Sequence, residues 1–464
     1  MKKSSLLLIM LLFTVLMLAC GTTLPSPSPE DDLAQLATMV AATVEAAQNM
    51  DAQPTSMPVE AATPTAEPEA PTSYPDFPGL RVAYIKAGNV YLWTEGGDLL
   101  GITGTGDAID VQISDDGAFV AYVRELAPNA YELWVVNSDD DVLVPRMLVS
   151  QAEMDALKAA SEFADAEGLA FDQVAWRPGT HELYYSTVPR FMGPGYVPLY
   201  DIRVVNVDNA AKTTLFEFGT GGKFTFSPDG AQMALVTSEH ISLVNADGSN
   251  LRANVLTYPS VITYSEYYYH PVPIWDAASA SLRVAVPPED PLADPLLPTT
   301  LWYLPTDGTS ATQLGSIPAV PFDWPDHAFS PDMSYVAYIK SVGEPAANQR
   351  ELHIAYPDGT NDYIFATGES LQFRGWLPDA MRFVYAANGA GDQGLYLGSI
   401  SGGTSTIASI NQEVRQVDWV DASRMIYLYD NGGVSELRIS DQDGTDHAFI
   451  DTLNASYTSF DFTP

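Results

Sequence analysis

One pattern constrains this chain more than any other. A bulky residue, a Ser/Pro/Asp/Gly-type turn and an apolar strand recur eight times at a spacing of roughly 43 to 63 residues, the signature of four-stranded sheets repeated around an axis. The clearest copies are Phe226-Ser227-Pro228-Asp229-Gly230 before Met233-Ala234-Leu235-Val236, and Phe329-Ser330-Pro331-Asp332 before Tyr335-Val336-Ala337-Tyr338-Ile339. Degenerate copies begin at Ile113, Trp176, Trp275, Trp376 and Trp419, and a last one is Phe462-Thr463-Pro464. The pattern predicts an all-β fold, a β-propeller of about eight four-stranded blades, with seven as the alternative count, and one helical insertion.

The last copy is not followed by its strand, whereas Val82-Ala83-Tyr84-Ile85 reads as the strand that such a turn should precede. The C-terminal strand is therefore expected to join the N-terminal three and close the ring, which removes the free sheet edges of an open array.

Ahead of the repeats, Lys2 and Lys3, an apolar run from Leu6 to Leu18 and Ala19-Cys20-Gly21 read as a secretory signal. The run is too short to span a bilayer. Cys20, the sole cysteine, occupies the position of the acylated residue in a bacterial lipoprotein signal, although Met17 and Leu18 depart from that motif and a plain cleaved signal is the alternative. Two or more acyl chains on Cys20 would give stable anchoring. The expected organisation is a signal peptide over 1–19, a lipid-anchored stalk over 20–79 and the propeller over 80–464. Within the stalk, Ser28-Pro29-Glu30-Asp31 has the features of a helix start, and Leu33, Leu36, Val40 and Val44 follow at helical spacing. Asp51 to Pro78 is rich in Pro, Thr, Ala and Glu, the composition of an extended tether. The localisation expected is the cell membrane or outer envelope, on the extracytoplasmic side.

The formal net charge is −38, from 21 Lys plus Arg against 59 Asp plus Glu. Such a balance excludes nucleic acid as a partner and suits solubility at a cell surface.

A second recurring signal is the Asp-Gly hairpin turn, as in Asn245-Ala246-Asp247-Gly248, Pro305-Thr306-Asp307-Gly308 and Pro357-Asp358-Gly359. Together with the Phe226-Ser227-Pro228-Asp229-Gly230 turn and the Val336-Ala337-Tyr338-Ile339 strand, it resembles the propeller repeats of TolB and of prolyl-oligopeptidase-type peptidases. The resemblance covers 80–464 and implies a fold and a repeat family, not a ligand. In those peptidases the hydrolase domain lies outside the repeats, and no Gly-x-Ser-x-Gly nucleophile elbow occurs here.

In the usual propeller order the Ser-Pro-Asp-Gly turns and Asp-Gly hairpins share one face. Connections between blades, and between second and third strands, share the other. The long insertions belong to the second class, and long loops on a repeat scaffold gather on the binding face. One of them, after Val149, carries a capping box of Ser150 and Glu153 and predicts a helix ended by Gly168 and lying across one sector. Others concentrate aromatic residues: Arg190 and Phe191 with Tyr196, Tyr264 with Tyr267, Tyr269 and His270, and Asp323 with Trp324. These nine residues are the candidate ligand-binding face, since aromatic rings with polar edges suit sugar faces or peptide side chains. Packing of the loops onto the blades is the competing account of the same residues.

The six histidines show no metal spacing, and neither a phosphate-binding glycine loop nor a dinucleotide fingerprint occurs. No cofactor is expected. Acids from different blades can converge on the axis without leaving any spacing in the sequence, so an acid pair stays open as a route to glycoside hydrolysis. The expected function is a non-enzymatic, membrane-anchored binding or scaffold protein for an extracellular protein, peptide or glycan. A hydrolytic enzyme using axial acids and a structural envelope module are the alternatives.

Overall fold

The computed structural model describes residues 79–97, 99–140, 142–192, 196–264, 267–319, 328–343, 349–387, 394–406, 414–430, 434–442, 444, 447–453 and 459–463. The expected signal peptide with Cys20, the stalk helix and the tether lie outside them. Among the described residues no helix is long and apolar enough to cross a membrane.

The repeats fold into eight blades of antiparallel strands. Blade one pairs Leu100–Gly101, Asn89–Thr94, Arg81–Lys86 and Phe460–Thr463 in that order. Val82 lies opposite Phe462, and Tyr84 opposite Phe460. The predicted seam is thus the observed one, and eight, not seven, is the count. Blades two to five, seven and eight are four-stranded and sequential. Blade six shows three strands among the described residues, with Phe329 bridged to Val336 where its innermost strand leads into the turn.

Why the second strand of each blade reads as a continuous apolar run follows from its position between two neighbours. In Arg81–Lys86 the four central residues are all buried. Val82 and Tyr84 pack with Ile426, Leu437 and Phe460 towards blade eight, whereas Ala83 and Ile85 pack with Val111, Ile113 and Tyr122 towards blade two. Alternation sends successive side chains to opposite faces, and here both faces are core. Outermost strands have only one neighbour side to cover, and Lys212–Phe216 is accordingly exposed over its first three residues.

The recurring Ser-x-Asp turn has a physical basis seen three times. Ser114, Ser227 and Ser330 donate from Oγ to Asp116, Asp229 and Asp332 at 2.7, 2.6 and 2.7 Å. Each serine oxygen accepts the backbone N–H that opens the next strand, at Phe119, Gln232 and Tyr335. Each aspartate accepts the N–H two residues on. The serines are buried, at 1, 0 and 0 % exposure, so the turn is a closed hydrogen-bond unit under the blade rim. Gly230 in this turn has φ +66, and a Cβ there would lie 2.5 Å from the Pro178 carbonyl oxygen of the preceding blade. Glycine is needed for both reasons.

The helical insertion is α1, Gln151–Ala160, with the expected capping box of Ser150 and Glu153. Two expectations about it are corrected. The helix ends at Ser161, whose N–H bonds to the Leu157 and Lys158 carbonyls, while Gly168 opens the innermost strand of blade three, Gly168–Trp176. Nor does the helix lie as a cover: Met154 is fully buried in the core shared by blades two and three, with Leu157 against it. Its apolar residues are spent on interblade packing.

Candidate functional site

The insertion face gathers side chains from three parts of the chain. Blade three contributes Asp172 from its innermost strand, and Tyr196 and Tyr200 from the connection between Glu182–Arg190 and Ile202–Asn206. Blade four contributes Lys223, the first residue of its innermost strand Lys223–Phe226. The connection to blade five contributes a small hairpin, Ile262–Tyr264 paired with Tyr267–Tyr268, and then His270.

Tyr196 is the centre of this group. Its ring stacks on Tyr267 with centroids 6.2 Å apart and planes at 4°, and its hydroxyl donates to Asp172 Oδ1 at 2.6 Å. The Lys223 ammonium lies 4.6 Å from the centroid of the same ring, a cation–π arrangement. Burial, followed by the Asp172 charge, pushes the Tyr196 hydroxyl well above its usual range. Burial likewise raises Asp172, while Lys223 and the Tyr196 hydrogen bond oppose the rise.

His270 closes the group. Its Nδ1 is 3.0 Å from the Tyr268 carbonyl oxygen, which can only accept, so Nδ1 carries the proton. Nε2 then accepts from the Tyr200 hydroxyl at 2.7 Å. Burial, and secondarily the Lys223 charge, lower the His270 pKa to about 4. The imidazole is neutral at physiological pH, and the cations acting on the group are Lys223 and, at its edge, Arg190. Lys223 makes no ion pair with any described residue. Tyr267 and Tyr268 keep 37 and 42 % of their surface exposed.

Three of the nine sequence candidates, Tyr196, Tyr267 and His270, therefore meet at one place. Of the others, Arg190 reaches the group through its charge, which works against the burial-driven rise of both Asp172 and the Tyr196 hydroxyl. Phe191 sets its ring edge-on to Phe163 at 5.6 Å, and Phe163 packs on the core between blades two and three, so packing accounts for it. Arg190 ends its strand with an exposed side chain, its carbonyl accepting from Glu167 N–H at 2.8 Å. Tyr264 pairs through its backbone with Tyr267, and Tyr269 N–H donates to the Val261 carbonyl at 2.8 Å. Asp323 and Trp324 lie outside the described residues. Asp172 and Lys223 escaped the sequence reading. Their only signal was a charge inside or at the start of an innermost strand, in a chain with few cations.

A second set of acids lies on innermost strands elsewhere on the ring: Asp461 in blade one, Asp110 in blade two and Asp418 in blade eight. Burial drives the Asp461 pKa up to about 6 against the N–H groups of Ile113 and Phe462, with Asp110 and Asp418 adding to the rise. Among the described residues no group of three or more His, Cys, Asp or Glu could hold a metal ion.

The topology defines the class as a closed eight-bladed β-propeller. No family model matches the sequence, and no curated protein matches it. Among solved structures the chain is similar to a prolyl endopeptidase at 15% identity and a TM-score of 0.41, over 62% of this chain and 43% of that one. It is also similar to the β-propeller domain of the trilobed protease from Pyrococcus furiosus, at 12% identity and TM-score 0.42 over 75% and 99% of the two chains. TolB from Acinetobacter baumannii is similar at 11% identity and TM-score 0.35, over 74% and 82%. The chain spans less than half the length of the prolyl endopeptidase.

Proposed function

We propose that this protein is a lipid-anchored extracytoplasmic binding or scaffold protein, held to the membrane through Cys20, whose propeller recognises a protein, peptide or glycan at the insertion face. The observation that carries the reading is Lys223. Its ammonium makes no ion pair with any described residue, lies on the Tyr196 ring and acts on a neutral His270, while the partly exposed Tyr267 stacks on the same ring. A cation in that setting is matched by a ligand carboxylate, with the tyrosines supplying apolar contact at small entropic cost. The residues act by binding and orientation.

The test is binding of the full chain to arrays of acidic and neutral peptides and glycans, repeated with Tyr267→Ala and Lys223→Met. The acidic members should bind, and each substitution should weaken them by roughly tenfold or more. Acidic ligands bound equally by parent and both variants would remove the site from consideration.

A second reading, hydrolysis by axial acids, is favoured by Asp461, because a carboxyl group with its pKa raised towards neutrality suits general acid catalysis. It requires turnover of a polysaccharide by the purified protein and loss of that turnover in Asp461→Asn.

A further inference from the structure

On the opposite face, where the Ser-Pro-Asp-Gly turns and Asp-Gly hairpins lie, a half-open cleft of about 360 Å³ sits between blades six and seven. That volume falls in the range of small-molecule sites, roughly 300–1,000 Å³. Three tyrosines line it: Tyr335 just after the blade-six turn, Tyr356 before the hairpin and Tyr363 after it. Tyr335 rests on Trp376 of blade seven at 6.1 Å and 29°, and meets Tyr356 at 5.8 Å and 46°. Tyr356 and Tyr363 are 41 and 40 % exposed.

The wall that carries Tyr363 is held from behind. Asp362 accepts from the buried Tyr338 hydroxyl at 2.8 Å and faces His353 Nδ1 at 2.9 Å, and His353 Nε2 faces Glu351 at 3.0 Å. With both oxygens engaged in this network, Asp362 acts as a strut, fixing its neighbours Asn361 and Tyr363 in place. Trp376, on which Tyr335 rests, is fixed in turn by its indole N–H, which donates to the Ala328 carbonyl at 2.9 Å.

We propose that this cleft is a second binding site, for a neutral sugar residue of a glycan. No Lys or Arg lines it, so phosphate, sulfate and carboxylate ligands would meet only the field of a strongly acidic chain. An apolar ligand would strand polar groups, because the Tyr335 and Tyr356 hydroxyls and the Asn361 amide make no hydrogen bond to any described residue. A pyranose satisfies both demands, laying its C–H face on a phenol ring while its hydroxyls meet the amide and the phenolic oxygens. A proline-rich peptide also uses tyrosines, but a four-residue polyproline repeat spans about 12 Å and needs successive grooves, whereas this is a single cleft.

The experiment is calorimetric titration of the full chain with cellotetraose, chitotetraose and maltotetraose, and with a decaproline peptide as the contrasting probe. At least one tetrasaccharide should bind. Tyr356→Ala and Tyr363→Ala should each weaken it roughly tenfold. Tyr356→Phe, which keeps the ring and the fold, should cost roughly threefold, and Leu292→Ala, an exposed residue outside both sites, should cost nothing. The proposal is overturned if none of the three tetrasaccharides binds. It is equally overturned if the one that binds ignores both alanine variants, or if decaproline binds and loses affinity in those variants in place of the sugars.

Discussion

The hydroxyl of Tyr84 donates to the carboxylate of Asp451 at 2.7 Å, joining residues 367 positions apart in the chain. Tyr84 lies on the second strand of blade one and Asp451 on the outermost strand of blade eight, and Lys86 reaches the other carboxylate oxygen at 2.6 Å. This is the polar counterpart of the strand pairing at the seam. Tyr84→Phe should lower the unfolding free energy by about 1–2 kcal/mol, since the buried carboxylate loses one partner. Asp451→Ala should cost more, because it leaves both Tyr84 and Lys86 without their acceptor. Chemical denaturation of the two variants checks the order, and a neutral Tyr84→Phe would show that the seam rests on apolar packing alone.

Closure itself is tested by deletion. Removing residues 456 to 464 takes away the strand Phe460–Thr463, the pairing of Val82 with Phe462, and the hydrogen bond from Ile113 N–H to Asp461. The edge of Arg81–Lys86 would open. A marked fall in melting temperature and a gain in oligomers by light scattering are expected, and a truncated chain as stable and monomeric as its parent would contradict them.

His181 provides a pH-dependent contact between blades two and three. Its Nε2 is 2.9 Å from Asp116 in one turn and its Nδ1 2.9 Å from Asp208 in another. The hydrogen bond to Asp116 and then that to Asp208, against some burial, raise its pKa. Asp116 is pulled up by burial, but its hydrogen bonds, that to His181 foremost, bring it down to about 2. For a histidine raised in the folded state, the stabilisation is complete below the unfolded value near 6.5 and is lost as pH rises through the folded value. Parent and His181→Gln should therefore differ in melting temperature at pH 6 and converge by pH 9. A difference that stays constant over that range would mean that the contact does not depend on the imidazolium.

The proposed anchor predicts that Cys20→Ser moves the protein from washed membranes to the soluble fraction. The same substitution leaves the propeller unchanged, so its melting curve should match that of the parent. Retention of the variant in membranes would reject lipidation at Cys20.

How much of this was legible depends on what each residue has to satisfy. Ser114, Ser227 and Ser330 each close the same turn with the same two partners, so the motif survives as a motif and the blades could be counted. The apolar runs marked second strands because both of their faces are buried. Gly168 misled because a glycine after a helical run reads as a stop. It is there because a Cβ would lie 2.2 Å from the Asn129 carbonyl oxygen of the neighbouring blade, a contact with no trace in local sequence. The site was half legible for a related reason. Aromatic-rich insertions were visible, but packing against Phe163 and stacking on Tyr196 ask for the same residue type, and Phe191 and Tyr267 went to different fates. Asp172 and Lys223 come from strands that the repeat had already assigned to architecture.

The seam between Arg81–Lys86 and Phe460–Thr463 also sets a timetable for biosynthesis. A ribosome delivers the chain from its N-terminus at about 5–20 residues per second, so blades two to seven can pair locally as they emerge, while blade one holds an unpaired second strand until the final segment arrives. For most of that interval the edge of Val82 and Tyr84 is open to any extended chain nearby. A protein built this way has most need of a holding factor early and can release it only once Phe460–Thr463 has emerged. Pulse-chase capture of nascent chains would then find them most protease-sensitive at their oldest residues.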